Sequence, residues 1–197
     1  MPKPFQDLLP VYPLIAQQIL DDYQISSGKC LDIGTGHGYL GIELARITDM
    51  EMYFVDLDPE ALKISQENAV EAELDNVLHF VGADVCALPF EDDFADLIIS
   101  RGSIWFWEDQ AKGVQEIYRV LKTGGIGFIG GGLGRYTPPA MRERLKGKRR
   151  KAREEQGQSK FLDESELIDL LKKCGISNYR IIRDVEDEPG SWMEVKK

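Results

Sequence analysis

No stretch of this sequence approaches the roughly 18 consecutive apolar residues that a membrane span requires. The first thirteen residues, MPKPFQDLLPVYP, are broken by Asp7 and several prolines, and they lack the charged-then-apolar order of a secretory leader. Cysteine is sparse: Cys30, Cys86 and Cys174 are odd in number, widely spaced and set among apolar neighbours. That excludes a disulfide framework and gives no zinc spacing, so the thiols read as reduced interior residues and no metal is expected. A cytoplasmic protein, away from membranes, follows from these absences. Nor is there an internal repeat, a low-complexity tract or a linker, so residues 1–197 are expected to form one domain.

Basic charge is also scarce, except in one place. The net charge is −10; residues 135–153 hold nine Arg/Lys against Glu143 alone, or +8, which leaves the rest of the chain at −18. An acidic body repels phosphates over most of its surface, which argues against a general nucleic-acid binder.

Short apolar runs alternate with amphipathic segments, the signature of βα units around a parallel sheet. Residues 12–23 read as a helix within a lead-in over 1–28. Strands are expected at Cys30–Ile33, Met52–Val55, Val77–Val81, Ala95–Ile99 and Ile126–Ile129. Helical spacing links them over Tyr39–Thr48, from Pro59 through Ala69, and through Val114, Ile117, Val120 and Leu121, with Gly124-Gly125 as the stop. A helix capped by Asp163 or Ser165 carries Leu167, Leu170 and Leu171. Tyr179–Ile182 and Trp192–Val195 then form a strand pair turning at Pro189-Gly190.

The sharpest local signal is Leu31-Asp-Ile-Gly-Thr-Gly-His-Gly38 at the first strand-to-helix junction. Glycines there let the backbone turn tightly and approach a ligand, and the helix start beyond offers free N–H groups. A dinucleotide fingerprint needs glycine at position 39, where Tyr39 stands. The spacing G-x-G-x-G after Asp32 instead resembles motif I of class I S-adenosyl-L-methionine (SAM)-dependent methyltransferases. The resemblance continues in order through Phe54-Val-Asp-Leu-Asp-Pro59, Gly82-Ala-Asp-Val-Cys-Ala-Leu-Pro-Phe90, Phe94-Ala-Asp-Leu-Ile-Ile-Ser100 and Tyr118-Arg-Val-Leu-Lys-Thr-Gly-Gly125.

That resemblance implies a Rossmann-like three-layer α/β/α sandwich, its seven-stranded sheet mostly parallel with an antiparallel C-terminal strand. It implies SAM as cofactor, S-adenosylhomocysteine as product, and methyl transfer. A small molecule is the first expectation for the acceptor, because no appended recognition domain is read in the chain, and a protein or nucleic acid the second. Asp56 would hold the ribose hydroxyls, with Asp58 the alternative. Asp84 would meet the adenine amino group beside the Val85 N–H, and Leu57 would pack on the ring. Asp32, Gly34, Thr35, Gly36 and Gly38 would frame the methionyl portion. His37 reads as a loop residue beside that portion rather than a base, and His79 as structural.

Departures from the family pattern mark the acceptor side. Amino-methylating enzymes of nucleobases often carry Asn/Asp-Pro-Pro-aromatic after the fourth strand; here Ser100-Arg-Gly-Ser-Ile-Trp-Phe-Trp107 replaces it, which disfavours base N-methylation. Arg101 is placed to bind the methionyl carboxylate or an acidic substrate through its planar fork. Trp105, Phe106 and Trp107 either wall the acceptor pocket or pack in the core. Arg135, Tyr136 and the basic run, over residues 135–160, are either a lid that draws in an anionic acceptor or a solvated helix balancing the acidic body. A SAM-binding accessory subunit without catalysis and a nicotinamide-dependent oxidoreductase are the other readings of the same loops.

Overall fold

The computed structural model describes residues 6–145, 162–185 and 191–197. At its centre, strands β1 (Ser27–Ile33), β2 (Asp49–Asp56), β3 (Leu78–Gly82), β4 (Ala95–Arg101), β5 (Leu121–Gly131), β6 (Tyr179–Arg183) and β7 (Ser191–Lys196) form one sheet in the order β3-β2-β1-β4-β5-β7-β6. β1 to β5 run parallel, and β7 lies antiparallel between β5 and β6. The central strands are buried on both faces, so they read as continuous apolar runs rather than alternating ones: Leu97, Ile98 and Ile99 of β4 are wholly buried.

Helices α1 (Tyr12–Tyr23), α2 (Tyr39–Ala45) and α3 (Pro59–Glu71) cover one face, where Ile15, Ile19, Leu44, Met52, Phe54 and Trp192 pack together. Helices α4 (Gln110–Val120) and α6 (Glu164–Lys173) cover the other through Ile33, Ile98, Ile117, Leu171 and Val195. Residues 139–145, here α5, are also helical. This is the Rossmann-like, mostly parallel seven-stranded arrangement that the sequence led us to expect. The turn at Pro189-Gly190 and the basic run beyond position 145 lie outside the described residues.

Most strands run longer than expected, β1 from Ser27, β2 from Asp49 and β5 over Leu121–Gly131, and three boundary differences stand out. α2 ends at Ala45 rather than Thr48, whose hydroxyl donates back to the Leu44 carbonyl at 2.8 Å as β2 begins. β3 starts one residue later than Val77. The third difference has a steric cause: α4 stops at Val120, and Leu121 already pairs with Ala95 in the sheet. Gly124-Gly125 therefore form an irregularity inside β5, not a helix stop. A Cβ on Gly125 would lie 2.9–3.2 Å from the carbonyls of Lys122, Ala95 and Asp96, a gap that only glycine tolerates.

Strand order reverses between β1 and β4, and in open α/β sheets the crevice at the carboxyl ends beside such a reversal is the ligand site. The loops after β1, β2, β3 and β4 all open there.

Candidate functional site

Those loops enclose a cleft of about 650 Å³, within the range that holds small ligands and cofactors. Asp32, Gly34, Thr35, Gly36, Asp56, Leu57, Asp84, Val85 and Arg101, all singled out from the sequence, line it together. Gly38 lies just behind as the N-cap of α2, in a left-handed conformation.

Each position has a local cause. Asp32 ends β1 at 3% exposure, and its Oδ2 accepts from the Thr35 hydroxyl at 2.7 Å and the Gly41 N–H at 3.1 Å. Burial raises its pKa to about 6, with those two hydrogen bonds pulling the other way. Asp56 ends β2; its Oδ2 accepts from the Gly36 N–H at 2.8 Å and its Oδ1 from the Asp58 N–H at 3.0 Å. The carboxylate thus ties the glycine loop to the tip of β2. Asp58 itself caps α3 by accepting from Glu60 N–H, so its side chain is partly occupied. Asp84, after β3, caps a short turn by accepting from the Cys86 N–H. Leu57 stands 71% exposed at the cleft, an apolar surface facing solvent. Gly36 has open space where a side chain would begin, whereas a side chain on Gly34 would strike Ser103.

Arg101, at the end of β4, is half-buried. Its Nη1 donates to the Tyr12 hydroxyl at 3.2 Å, its Nη2 donates to the Gly132 carbonyl at 2.9 Å, and its guanidinium lies 4.8 Å from the Tyr12 ring centre. The Nε of Arg101 and the Nδ1 of His37 are buried without a hydrogen-bond partner among the described residues, although both residues line the cleft. Such orphaned polar atoms cost free energy unless a polar ligand meets them.

The three adjacent aromatics divide. Phe106, 66% exposed, and Trp107 line the cleft, the latter donating its indole N–H to the Ser103 hydroxyl at 3.1 Å. Trp105 does not; its ring packs against Gly131. Arg135 and Tyr136 also lie outside the lining. Arg135 grips Asp22 with two donors at 2.5 and 2.6 Å, and Tyr136 donates to Asp21 at 2.7 Å, both acids belonging to α1. Of the basic stretch, Arg142 is buried and donates to the carbonyls of Thr137 and Gly134.

Several lining or supporting residues escaped the sequence reading, Ala61 and Glu108 among them, and three more hold the geometry of the cleft. Tyr12 sits in the cleft wall though it belongs to α1, far away in the chain, and burial raises its phenol pKa while Arg101 lowers it. Ser103 bridges the Ser100 hydroxyl and Trp107 beneath the glycine loop. Gly41 supplies an N–H to Asp32 from inside a helix, where a Cβ would stand 2.6 Å from the Phe54 ring. A glycine in a helix interior was the one signal available, since it weakens the helix unless something packs close.

Residues 31–129 match the family described as methyltransferase domain. Among solved structures, a candidate SAM-dependent methyltransferase from Methanococcus maripaludis is 36% identical, with a TM-score of 0.85 over 98% of this chain and 87% of that one. The 2-methyl-6-phytyl-1,4-hydroquinone methyltransferase 1 of rice is 33% identical over 102 residues, which is 51% of this chain and 30% of the rice protein. The demethylmenaquinone methyltransferase of Chlorobaculum tepidum is 32% identical over 101 residues, 51% of this chain and 39% of that protein. The chain thus spans less than half the length of either curated relative. No helix among the described residues is long and apolar enough to cross a membrane.

Proposed function

The chain belongs to the methyltransferase-domain family, and on that footing we propose that it binds SAM in the cleft and transfers the methyl group to a small-molecule acceptor. The observation that carries the reading is the convergence of three carboxylates, Asp32, Asp56 and Asp84, from the ends of three successive strands around one glycine loop.

In this reading Asp56 accepts from the ribose hydroxyls, Asp84 from the adenine amino group beside the Val85 N–H, and Leu57 covers the adenine face. Asp32 and the glycine loop meet the methionyl ammonium, and the unpartnered Nε of Arg101 meets the methionyl carboxylate. The two orphaned polar atoms and the open side of Gly36 fit a ligand with polar groups at both ends.

SAM supplies a methyl group already activated on a sulfonium, so the protein's share of the work is orientation and electrostatics. Phe106 and Trp107 are the residues we assign to the acceptor side, where their apolar wall excludes water from the transfer. No general base is assigned; an acceptor that is already a good nucleophile needs none. The small-molecule class is supported by the two quinol-related relatives. A reducing compartment such as the cytoplasm fits the three free thiols.

Calorimetric titration with SAM, S-adenosylhomocysteine and NADH tests the reading. We expect roughly micromolar binding of the two sulfur nucleosides and loss of about tenfold or more in Asp56→Ala, because the variant removes a charged acceptor. NADH binding without any response to SAM would overturn the assignment and favour an oxidoreductase. Sulfur-nucleoside binding without turnover across an acceptor screen would favour the accessory-subunit reading.

A further inference from the structure

Arg135 and Tyr136 stand outside the cleft, yet their contacts form a closed ring with two residues that line it. Starting in the cleft, Arg101 donates to the Tyr12 hydroxyl on α1 and to the Gly132 carbonyl in the segment after β5. Three residues along that segment, the Arg135 N–H donates to the Gln18 side-chain oxygen at 2.7 Å, its guanidinium grips Asp22, and Tyr136 grips Asp21. Gln18, Asp21 and Asp22 all lie on α1, the helix that carries Tyr12. The guanidinium of Arg135 also packs 4.8 Å from the Tyr136 ring centre, which orients both groups of the clasp.

A helix is stiff over this length, so fixing its C-terminal half fixes the angle at which Tyr12 enters the cleft wall. The same clasp fixes the segment whose Gly132 carbonyl holds the Arg101 fork. Two walls that already pack where Gly134 approaches Ile15 are thereby also tied to each other by directed polar contacts at two points. A lone exposed ion pair does little. Here a fork-to-fork pair is joined by a backbone anchor and a second acid, an arrangement in which geometry is specified as well as charge. The Asp22 side chain is 23% exposed and that of Arg135 36%, so solvent screening is incomplete.

We propose that Arg135, with Tyr136, is a positioning residue for the cleft: it acts through α1 and the post-β5 segment to set Tyr12 and Arg101 for the amino-acid end of a SAM-like ligand. This rests on the SAM reading above. It gives the start of the basic stretch a definite task other than contact with an acceptor.

Two measurements on the full chain test it. The first is S-adenosylhomocysteine titration of wild type, Arg135→Gln, Tyr12→Phe and the double variant, with Arg46→Gln as a remote loss of the same charge. Arg135→Gln should weaken binding about five- to tenfold, at the low end of coupling between sites, and Arg46→Gln should leave it unchanged. The Arg135 and Tyr12 effects should be non-additive, as expected for residues acting through one network. The charge-exchanged pair Asp22→Arg with Arg135→Asp should recover part of the loss. Additive effects, or unchanged affinity in Arg135→Gln with a lowered melting temperature, would mean a merely structural contact and overturn the proposal.

The second measurement needs no ligand: amide hydrogen exchange in Arg135→Gln. Faster exchange reaching residues 101–103 and the first turn of α1 supports the ring, whereas a change confined to residues 17–22 and 133–137 refutes it. If wild type binds no sulfur nucleoside, the SAM reading fails on the titration, and the exchange pattern alone decides whether the clasp orders the cleft.

Discussion

Asp32 is a carboxylate kept almost entirely from water, and its position shows how a single residue can carry a cost. Its folded pKa of about 6 lies above the 3.8 of the free side chain, chiefly through burial. Between those values the native state binds the proton more tightly than the unfolded chain does. Stability contributed at this site therefore falls as pH rises from about 4 to about 6, by around 3 kcal/mol in all, and is level above that. Replacing Asp32 by Asn keeps an oxygen for Thr35 and Gly41 but removes the titration. We expect urea unfolding of Asp32→Asn to be more stabilised relative to wild type at about pH 7 than at about pH 5. An equal difference at both pH values would show that the burial penalty on Asp32 is not what the cleft stores. A ligand that brings a positive charge to Asp32 would recover that penalty on binding, which links the buried acid to the proposed function.

The element that most depends on distant parts of the chain is the segment after β5. Asp184, beyond β6, places Oδ2 against the N–H groups of Leu133 at 2.6 Å and Gly134 at 2.9 Å, and Oδ1 against the Trp192 indole N–H at 2.9 Å. Three donors on one carboxylate stitch the segment to the β6–β7 pair. Gly132 has no room for a side chain because Asp184 occupies the place. Truncation in Asp184→Ala leaves those donors without an acceptor, and we expect about 3 kcal/mol of destabilisation in chemical unfolding. The same variant should speed amide exchange at Leu133 and Gly134; retained protection there would show that the carboxylate is incidental to the segment. Since Gly132 also supports Arg101, the element sets the cleft geometry as well as its own.

At the scale of the whole molecule, the sheet is a single object that the cleft shares with the core. The fully buried Trp192 stacks on Phe128 at 4.4 Å, so β7 is locked against β5, while β5 pairs with β4 whose end carries Arg101. Ligand bound at the strand ends should therefore stabilise the folded chain globally. With S-adenosylhomocysteine at about 100 times its Kd, linkage gives about 2.7 kcal/mol, or a rise in Tm of roughly 5–10 °C for a chain of this size. Differential scanning calorimetry measures it directly. An unchanged Tm at saturating nucleoside would mean that the cleft does not take it.

The succession of strands and helices along the chain, the glycine loop and the strand-end acids Asp32, Asp56 and Asp84 were legible in the sequence, because each is a local signal; the order of the strands across the sheet was not. Apolar runs, glycines and acids fall at fixed distances along the chain, and a parallel sheet turns those distances into one cleft at the strand ends. The boundary at Leu121 was not legible, since a glycine pair reads alike as a helix stop and as a strand irregularity until a neighbouring strand is present. Nor could the sequence separate Trp105, packed on Gly131, from Phe106 and Trp107 at the cleft. Adjacent aromatics have the same composition whichever way the backbone turns them. Tyr12, Ser103 and the Arg135–Asp22 pair belong wholly to the tertiary structure. Arg135 and Asp22 are separated by 113 positions, and only the packing of α1 beside the end of β5 brings them within hydrogen-bond reach.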